Sequence, residues 1–414
     1  MSKNVKTANG LLKAFLVFNS AIILVPDKFK GIPVIGLLLS TIFYFIVTKS
    51  DKKFDYKLLI VSTSFFLMLV VSILYTEDKS YAFKKLETGS SLLVYPVIFA
   101  LLYNCKEHLS KSFIELLKWV FVITLAFFLV STFTYYFLTE PYYTFKSTIV
   151  HYHTLVDLRI KGYEIHSIYL SMSIGVGILF LIDSIPKVKR INKIYSILFL
   201  ALFFVFLALL NKKGPILAFA VVGFIYLIKT KLKAKPAIYV VTSIILFVLI
   251  LAFIPKFKNI NRFSELVDLD GLKSNQNTST SIRLDIFKCS MIQAAKEPII
   301  GYGWGDANSA LVDCYEIENP SLLLKNYNSH NQFLSILLST GIIGLMIFLY
   351  YFYYIFKFSN KNKNQLLFFL LLYFGLNMLS ENILEREDGV IFFSFFINLF
   401  LFNSESKLNE STEN

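Results

Sequence analysis

The chain has 414 residues, of which 56% are hydrophobic and 17% charged, against about 45–50% and about 25% in soluble domains. At a mean hydropathy of +0.61 no single core could bury the apolar surface in water, which excludes a soluble globular enzyme. Three Cys exclude a secreted disulfide scaffold.

A helix needs about 20 mostly apolar residues to cross the hydrocarbon layer, and about twelve stretches of roughly that length are present. In chain order they lie near residues 11–25, 32–48, 58–75, 89–103, 113–138, 165–182, 194–210, 215–228, 237–254, 332–356, 366–379 and 389–402. No short apolar stretch with a small-residue cleavage site stands at the N-terminus, so no removable signal peptide is expected. The expected fold is an all-α polytopic membrane protein with a long helical loop between the ninth and tenth spans. The expected division is 1–138 (first five spans), 139–254 (spans six to nine with an outer loop), 255–330 (the large loop), 331–403 (last three spans) and 404–414 (a polar tail).

The net charge of +13 first points to nucleic acid, but its placement decides otherwise. Lys and Arg gather in alternate loops, at Lys49–Lys57, Lys106–Lys111, Lys187–Lys193, Lys229–Lys235 and Lys357–Lys363. Positive loops stay on the cytoplasmic side. With an even number of spans both termini are then cytoplasmic, and residues 139–164 and 255–329 lie outside. The basic balance is a topology signal, the partner is a lipid bilayer, and no nucleic acid is expected.

Against that bias, Arg159, Lys161, His166, Lys212, Lys213, Arg283, His330, Glu381, Glu385 and Arg386 fall at outward-facing helix ends or loops. Repeated cations beside a membrane face suit a phosphate or diphosphate, which Arg grips bidentately. Asn328 or Ser329 is expected to cap a helix starting near His330, where an imidazolium is disfavoured. Gly341 and Gly344 would allow close helix packing one turn apart. Residues 281–295 read as an amphipathic helix on the membrane surface, with Ile282, Ile286, Cys289 and Ile292 at helical spacing beside Arg283. Gly301-Tyr302-Gly303-Trp304-Gly305 reads as a flexible turn with an interfacial aromatic. No helix start and Lys-Ser/Thr follow these glycines, so they are no phosphate loop.

Several of these residues have plainer readings. Arg283 alone equally reads as a snorkelling surface arginine, and Lys212 and Lys213 as snorkelling or anion-binding cations. Glu381, Glu385 and Arg386 read first as a local salt bridge that orders a loop. His151, His153 and His166 lack supporting carboxylates, and no metal or other cofactor is expected. Cys289 and Cys314 share the outer loop, where an oxidising exterior permits a bridge that the spacing does not demand.

His330-Asn331 followed by Gly341 and Gly344, Arg283 leading to Glu297-Pro298-Ile299-Ile300-Gly301-Tyr302-Gly303, and Arg159 with Gly162 and His166 together resemble the O-antigen ligase/polymerase family of bacterial envelope glycosyltransferases. Asn211-Lys212-Lys213 falls where many members carry Ser-Arg, so this chain keeps charge there but not guanidinium geometry. The resemblance runs from Arg159 to the last span; the first five spans match in hydropathy only. It implies a GT-C-like membrane enzyme of the bacterial inner membrane, active on its periplasmic face. The implied reaction is a metal-independent, inverting transfer of glycan from an undecaprenyl-diphosphate carrier. Implied roles are His330 as general base, Arg283 and Arg159 on the diphosphate, and Lys212, Lys213, His166, Arg386 and Glu381 around the substrates.

A ligase would take lipid A–core as acceptor and a polymerase another carrier-linked glycan, and the histidine–glycine signature with the long loop leans to ligase. Protein or a wall polymer stays open as acceptor. A flippase for the same lipid-linked sugars is the reading from another class. It would need polar groups midway along its helices, whereas here they gather at one face.

Overall fold

The structure is a computed structural model that describes residues 3–48, 55–103, 109–139, 144–157, 160, 162–163, 165–185, 190–229, 279–325 and 327–403. The expected ninth span, residues 255–278 of the long loop, Arg159, Lys161 and the polar tail lie outside them. Among the described residues the chain is helical, without a strand. In order the helices are α1 (Lys3–Ser20), α2 (Gly31–Thr48), α3 (Tyr56–Ser72), α4 (Lys79–Gly89) and α5 (Ser91–Leu102). Then come α6 (Lys111–Thr139), α7 (Phe145–Asp157), α8 (Ser167–Ser184), α9 (Arg190–Leu210) and α10 (Lys213–Lys229). The last five are α11 (Ser279–Lys296), α12 (Ala307–Glu318), α13 (Gln332–Lys361), α14 (Gln365–Met378) and α15 (Glu387–Phe402).

This is a polytopic helical membrane protein. Among the described residues six stretches are long and apolar enough to cross a bilayer: Asp27–Thr48, Lys79–Leu102, Lys111–Thr139, Ser167–Ser184, Lys193–Leu210 and Gln332–Lys361. The other expected spans within the described residues coincide with α1, α3, α10, α14 and α15, which are apolar but shorter or less apolar. Two boundaries differ from expectation. The fourth span starts ten residues early, because Asp78 caps α4 by accepting from the Tyr81 amide at 2.9 Å and sets the polar run Lys79–Thr88 into helix. The outer loop before residue 165 contains α7, packed on α6 and α9 through buried Tyr152, whose hydroxyl lies 2.8 Å from Thr132.

α8 and α15 form the centre, with nearly every side chain buried. The aromatic surplus is used there rather than only against lipid. Phe121 of α6, Phe180 of α8 and Phe396 of α15 meet with ring centroids 5.0–5.5 Å apart, the edge-on packing that aromatic quadrupoles favour. Two ionic pins join distant helices. At one end Lys30 bonds both Asp27 and Asp388. At the other the buried Lys118 ammonium pairs with Glu115 at 2.6 Å and Asp183 at 2.7 Å. The described part of the long loop is a helical hairpin, α11 on α12, closed by a Cys289–Cys314 disulfide with Cα atoms 5.7 Å apart.

Candidate functional site

The starting ends of α8, α13 and α15 and one side of α4 surround a cavity of about 680 Å³, lined among others by Lys84, Lys85, His166, Tyr327, His330, Glu385 and Arg386. Helix N-termini carry unsatisfied amides and positive dipole ends, so their convergence favours an anion.

His330 is held by its neighbours. The helix α13 starts at Gln332 and its N-cap is Asn331, whose side chain accepts from the Phe333 and Leu334 amides at 2.9 and 3.2 Å. The expected cap by Asn328 or Ser329 is therefore shifted. Asn328 instead accepts from the His330 amide at 3.1 Å, and Ser329 bonds Asn382 at 3.2 Å. His330 takes a left-handed backbone, φ 44°, rare for a residue with a Cβ and kept where surroundings over-determine it. Its ring packs on Tyr327, centroids 5.8 Å apart, and its Nδ1 lies 3.6 Å from Glu381 Oε2. That is ion-pair range, longer than a hydrogen bond. Glu381 is 5% exposed. Burial pushes its carboxyl up, but His330, then Arg283 and His166, outweigh that and hold it below the usual carboxylate range.

The expected Glu381–Glu385–Arg386 salt bridge is replaced by two separate roles. Residues 380–386 are turns rather than continuous helix, so an i,i+4 pairing has no frame. Glu381 faces His330, while Glu385 takes hydrogen bonds from Ser335 and from Asn382 (3.0 Å). Glu385 also lies 3.7 Å from the Lys85 ammonium. Lys85 is 8% exposed, and its ammonium has no hydrogen-bond partner among the described residues. A buried charge left half-satisfied at a cavity wall is costly unless something else completes it.

A second cluster stands beside it. Asp157, at the end of α7, accepts from Lys212 at 3.0 Å and from the Ser167 amide at 3.1 Å, and lies 3.8 Å from His166 Nε2. Burial raises its carboxyl, but Lys212 and Ser167 more than offset this and it is held low. His166 caps α8 by accepting from the Ile168 amide through Nδ1 at 3.3 Å. Burial, helped by the charges of Lys212 and Arg386, pushes its imidazole below the usual range, against Asp157 and Glu381. A ring that accepts at Nδ1 and stays neutral offers an Nε2–H donor.

The glycine motifs also act differently from expectation. Residues 298–303 are pinned against a break in α13 at Gly341. The Tyr302 and Gly303 amides bond the Leu338 and Ser339 carbonyls at 2.8 and 2.9 Å, and the Ile342 amide bonds the Pro298 carbonyl at 2.9 Å. Gly341 has φ 60°, and a Cβ there would stand 2.1 Å from the Ile299 carbonyl oxygen. The two motifs are thus one joint, neither a flexible turn nor a helix-packing pair. Trp304 is no interfacial aromatic: it is 2% exposed, with its amide 3.2 Å from Ser72 Oγ.

Of the residues singled out from the sequence, His330, Glu381, His166 and Arg386 come together. Arg283, on α11, joins them by its charge on Glu381. Lys212 is engaged by Asp157, and Lys213 opens α10. The sequence reading missed Lys84, Lys85 and Asp157. The two lysines carried a signal: they lie in a loop expected outside, against the positive-inside bias. Asp157 carried none, because its partner lies 55 residues away.

A polytopic membrane protein with a basic, histidine-bearing cavity at one end of its bundle is the class that fold and site define. Residues 198–349 match the family model described as O-antigen ligase. The likeness to the O-antigen ligase/polymerase family read from the motifs is thereby borne out over that stretch. The matched stretch contains Arg283, the 298–303 joint, His330 and Gly341; Lys84, Lys85, His166, Glu381 and Arg386 complete the cavity from outside it. No curated protein matches the chain.

Proposed function

We propose that this chain is a membrane glycosyltransferase that moves a glycan from undecaprenyl diphosphate to an acceptor hydroxyl, on the extracytoplasmic face of a bacterial inner membrane. The observation that carries the reading is His330 backed by a buried, ionised Glu381 on the wall of a cavity whose other walls bear Lys84, Lys85, His166 and Arg386. With Nδ1 turned to the carboxylate, Nε2 is left as the base.

The acceptor hydroxyl gives its proton to His330 Nε2 as its oxygen bonds the anomeric carbon. The bond from that carbon to the diphosphate oxygen breaks on the opposite side, which inverts the centre, and the carrier diphosphate leaves. Charge grows on the leaving group, where Lys84, Lys85, Arg386 and Arg283 stabilise it, with Arg159 and Lys213 as further candidates. Four cations and converging helix ends supply positive potential without a metal. Lys212 keeps a supporting place, its ammonium on Asp157 and so behind His166. Cys289–Cys314 supports the sidedness, because disulfides persist in oxidising compartments.

Ligase activity toward lipid A–core is preferred, in line with the matched family's description; polymerisation of the same glycan at the same site is the second reading. The test is the glycan profile of a deletion strain complemented with wild type or His330→Ala. Carrier-linked polymer with none on the surface acceptor identifies a ligase, and surface glycan cut to single repeats a polymerase. His330→Ala should lose at least about 100-fold, the lower end of what a general base supplies. An unchanged profile would sink both readings and return lipid-linked sugar transport to the front.

A further inference from the structure

α11 has two apolar faces. Ile286, Cys289 and Ala294 are buried against α12 and α13, which uses up most of the stripe that the sequence offered to the membrane. A second stripe of Leu284, Phe287 and Met291 points away from the protein, with exposures of 50%, 49% and 46%. At i, i+3 and i+7 the three span roughly 60° of the helix, between Arg283 on one side and Lys288 on the other.

Further apolar surface is exposed beyond this stripe, on the following turn and on a helix apolar enough to cross a membrane. Past Glu297-Pro298 the chain exposes Ile299 and Ile300. These are tied to the break in α13, where the Ile342 amide bonds the Pro298 carbonyl. On α13, a membrane-crossing helix, Ile342, Ile343 and Met346 are likewise exposed. Exposed apolar side chains are thus found on α13, at Ile299 and Ile300 tied to it, and on α11, which leads into them.

We propose that α11 lies in the bilayer interface on the side of the site, with Leu284, Phe287 and Met291 among the acyl chains. Arg283 reaches to the level of the lipid phosphates, while Lys288, whose ammonium pairs with Glu318, stays on the water side. Large apolar side chains flanked by cations are what such a helix requires. The placement stands independently of the proposed reaction. On that reading of the site it adds one thing: Arg283 is held at the depth of a lipid-linked phosphate, so a carrier can reach it laterally.

The test uses the full-length protein with Cys105→Ser, its disulfide intact, in nanodiscs of phosphatidylethanolamine and phosphatidylglycerol. Leu284→Cys, Phe287→Cys, Met291→Cys and Lys288→Cys are each spin-labelled and read by power saturation with oxygen and with a water-soluble nickel chelate. The oxygen-to-nickel accessibility ratio at 284, 287 and 291 should exceed that at 288 by roughly threefold or more, since an interfacial apolar face sits about 5–10 Å below the headgroups. Equal ratios at all four positions would put the stripe in water and overturn the proposal. Exclusion of both reagents from 287 and 291 would overturn it as well, by showing the stripe covered by protein.

Discussion

Glu381 and His330 show how much a single pairing changes the meaning of a residue. Placed beside Glu385 and Arg386 in the chain, Glu381 reads as part of a loop-ordering ion pair. Placed 3.6 Å behind Nδ1 of His330, it is positioned to orient the ring and, on the proposed mechanism, to balance the imidazolium that would form when the base takes its proton. Glu381→Gln keeps the shape and removes the charge. It should lower transfer by roughly tenfold to a hundredfold, part of the 10²–10⁴ a positioned base contributes, with the protein still folded and inserted. Rates of glycan transfer in membranes from matched expression levels would check this; a variant as fast as wild type would leave Glu381 without a role. Lys85 makes a similar case. Only the fold buries it against Glu385 and Tyr81, at ion-pair distance from one carboxylate and with its ammonium hydrogens still available to a ligand in the cavity.

At the scale of elements, the joint between residues 298–303 and the break in α13 couples the outer hairpin to a membrane helix. Four amide-to-carbonyl bonds cross it, satisfying backbone groups that an interrupted membrane helix would otherwise leave unpaired. The left-handed backbone at Gly341 is what lets the two segments of this joint approach. Gly341→Ala should therefore cost at least about 2 kcal/mol, from the strain of a side chain at positive φ, with the steric conflict at Ile299 added. Gly10→Ala, with open space around it in α1, is the control and should be neutral or slightly stabilising. Thermal unfolding of both in detergent decides it; equal midpoints would mean the joint contributes nothing to stability.

At the scale of the whole molecule, buried ionisable groups link stability to pH. Asp157 and Glu381 are held low despite burial. Their stabilisation is complete above the ordinary carboxylate values, about 4, and is lost as pH falls through the lower folded values. His166 is held low by burial first, so the unfolded chain takes up its proton earlier. Stability then rises with pH from the folded value to about 6.5 and falls as pH drops below it. Burial holds Glu387 and Asp388 high, so their protonation acts in the opposite direction as pH falls. The contribution of His166 is therefore read as the difference in thermal midpoint between wild type and His166→Gln, which should be level from about pH 8 to about pH 6.5 and decline below that. A difference that does not change with pH across this range would contradict the state assigned to His166.

Membrane class, most helix positions and the residues His330, Arg283 and His166 were readable from the chain alone. Hydropathy is a sum over about 20 neighbouring residues, and interrupted charge patterning is equally local. The start of α4, the helix α7 and the cap at Asn331 escaped because one side-chain-to-amide bond moves a helix boundary without changing hydropathy. The pairings His330–Glu381, Lys85–Glu385 and Lys212–Asp157, the burial of Trp304 and the meeting of the two glycine motifs came only with the folded bundle. Their partners are far apart in the chain, and helix packing rather than spacing sets which charge finds which.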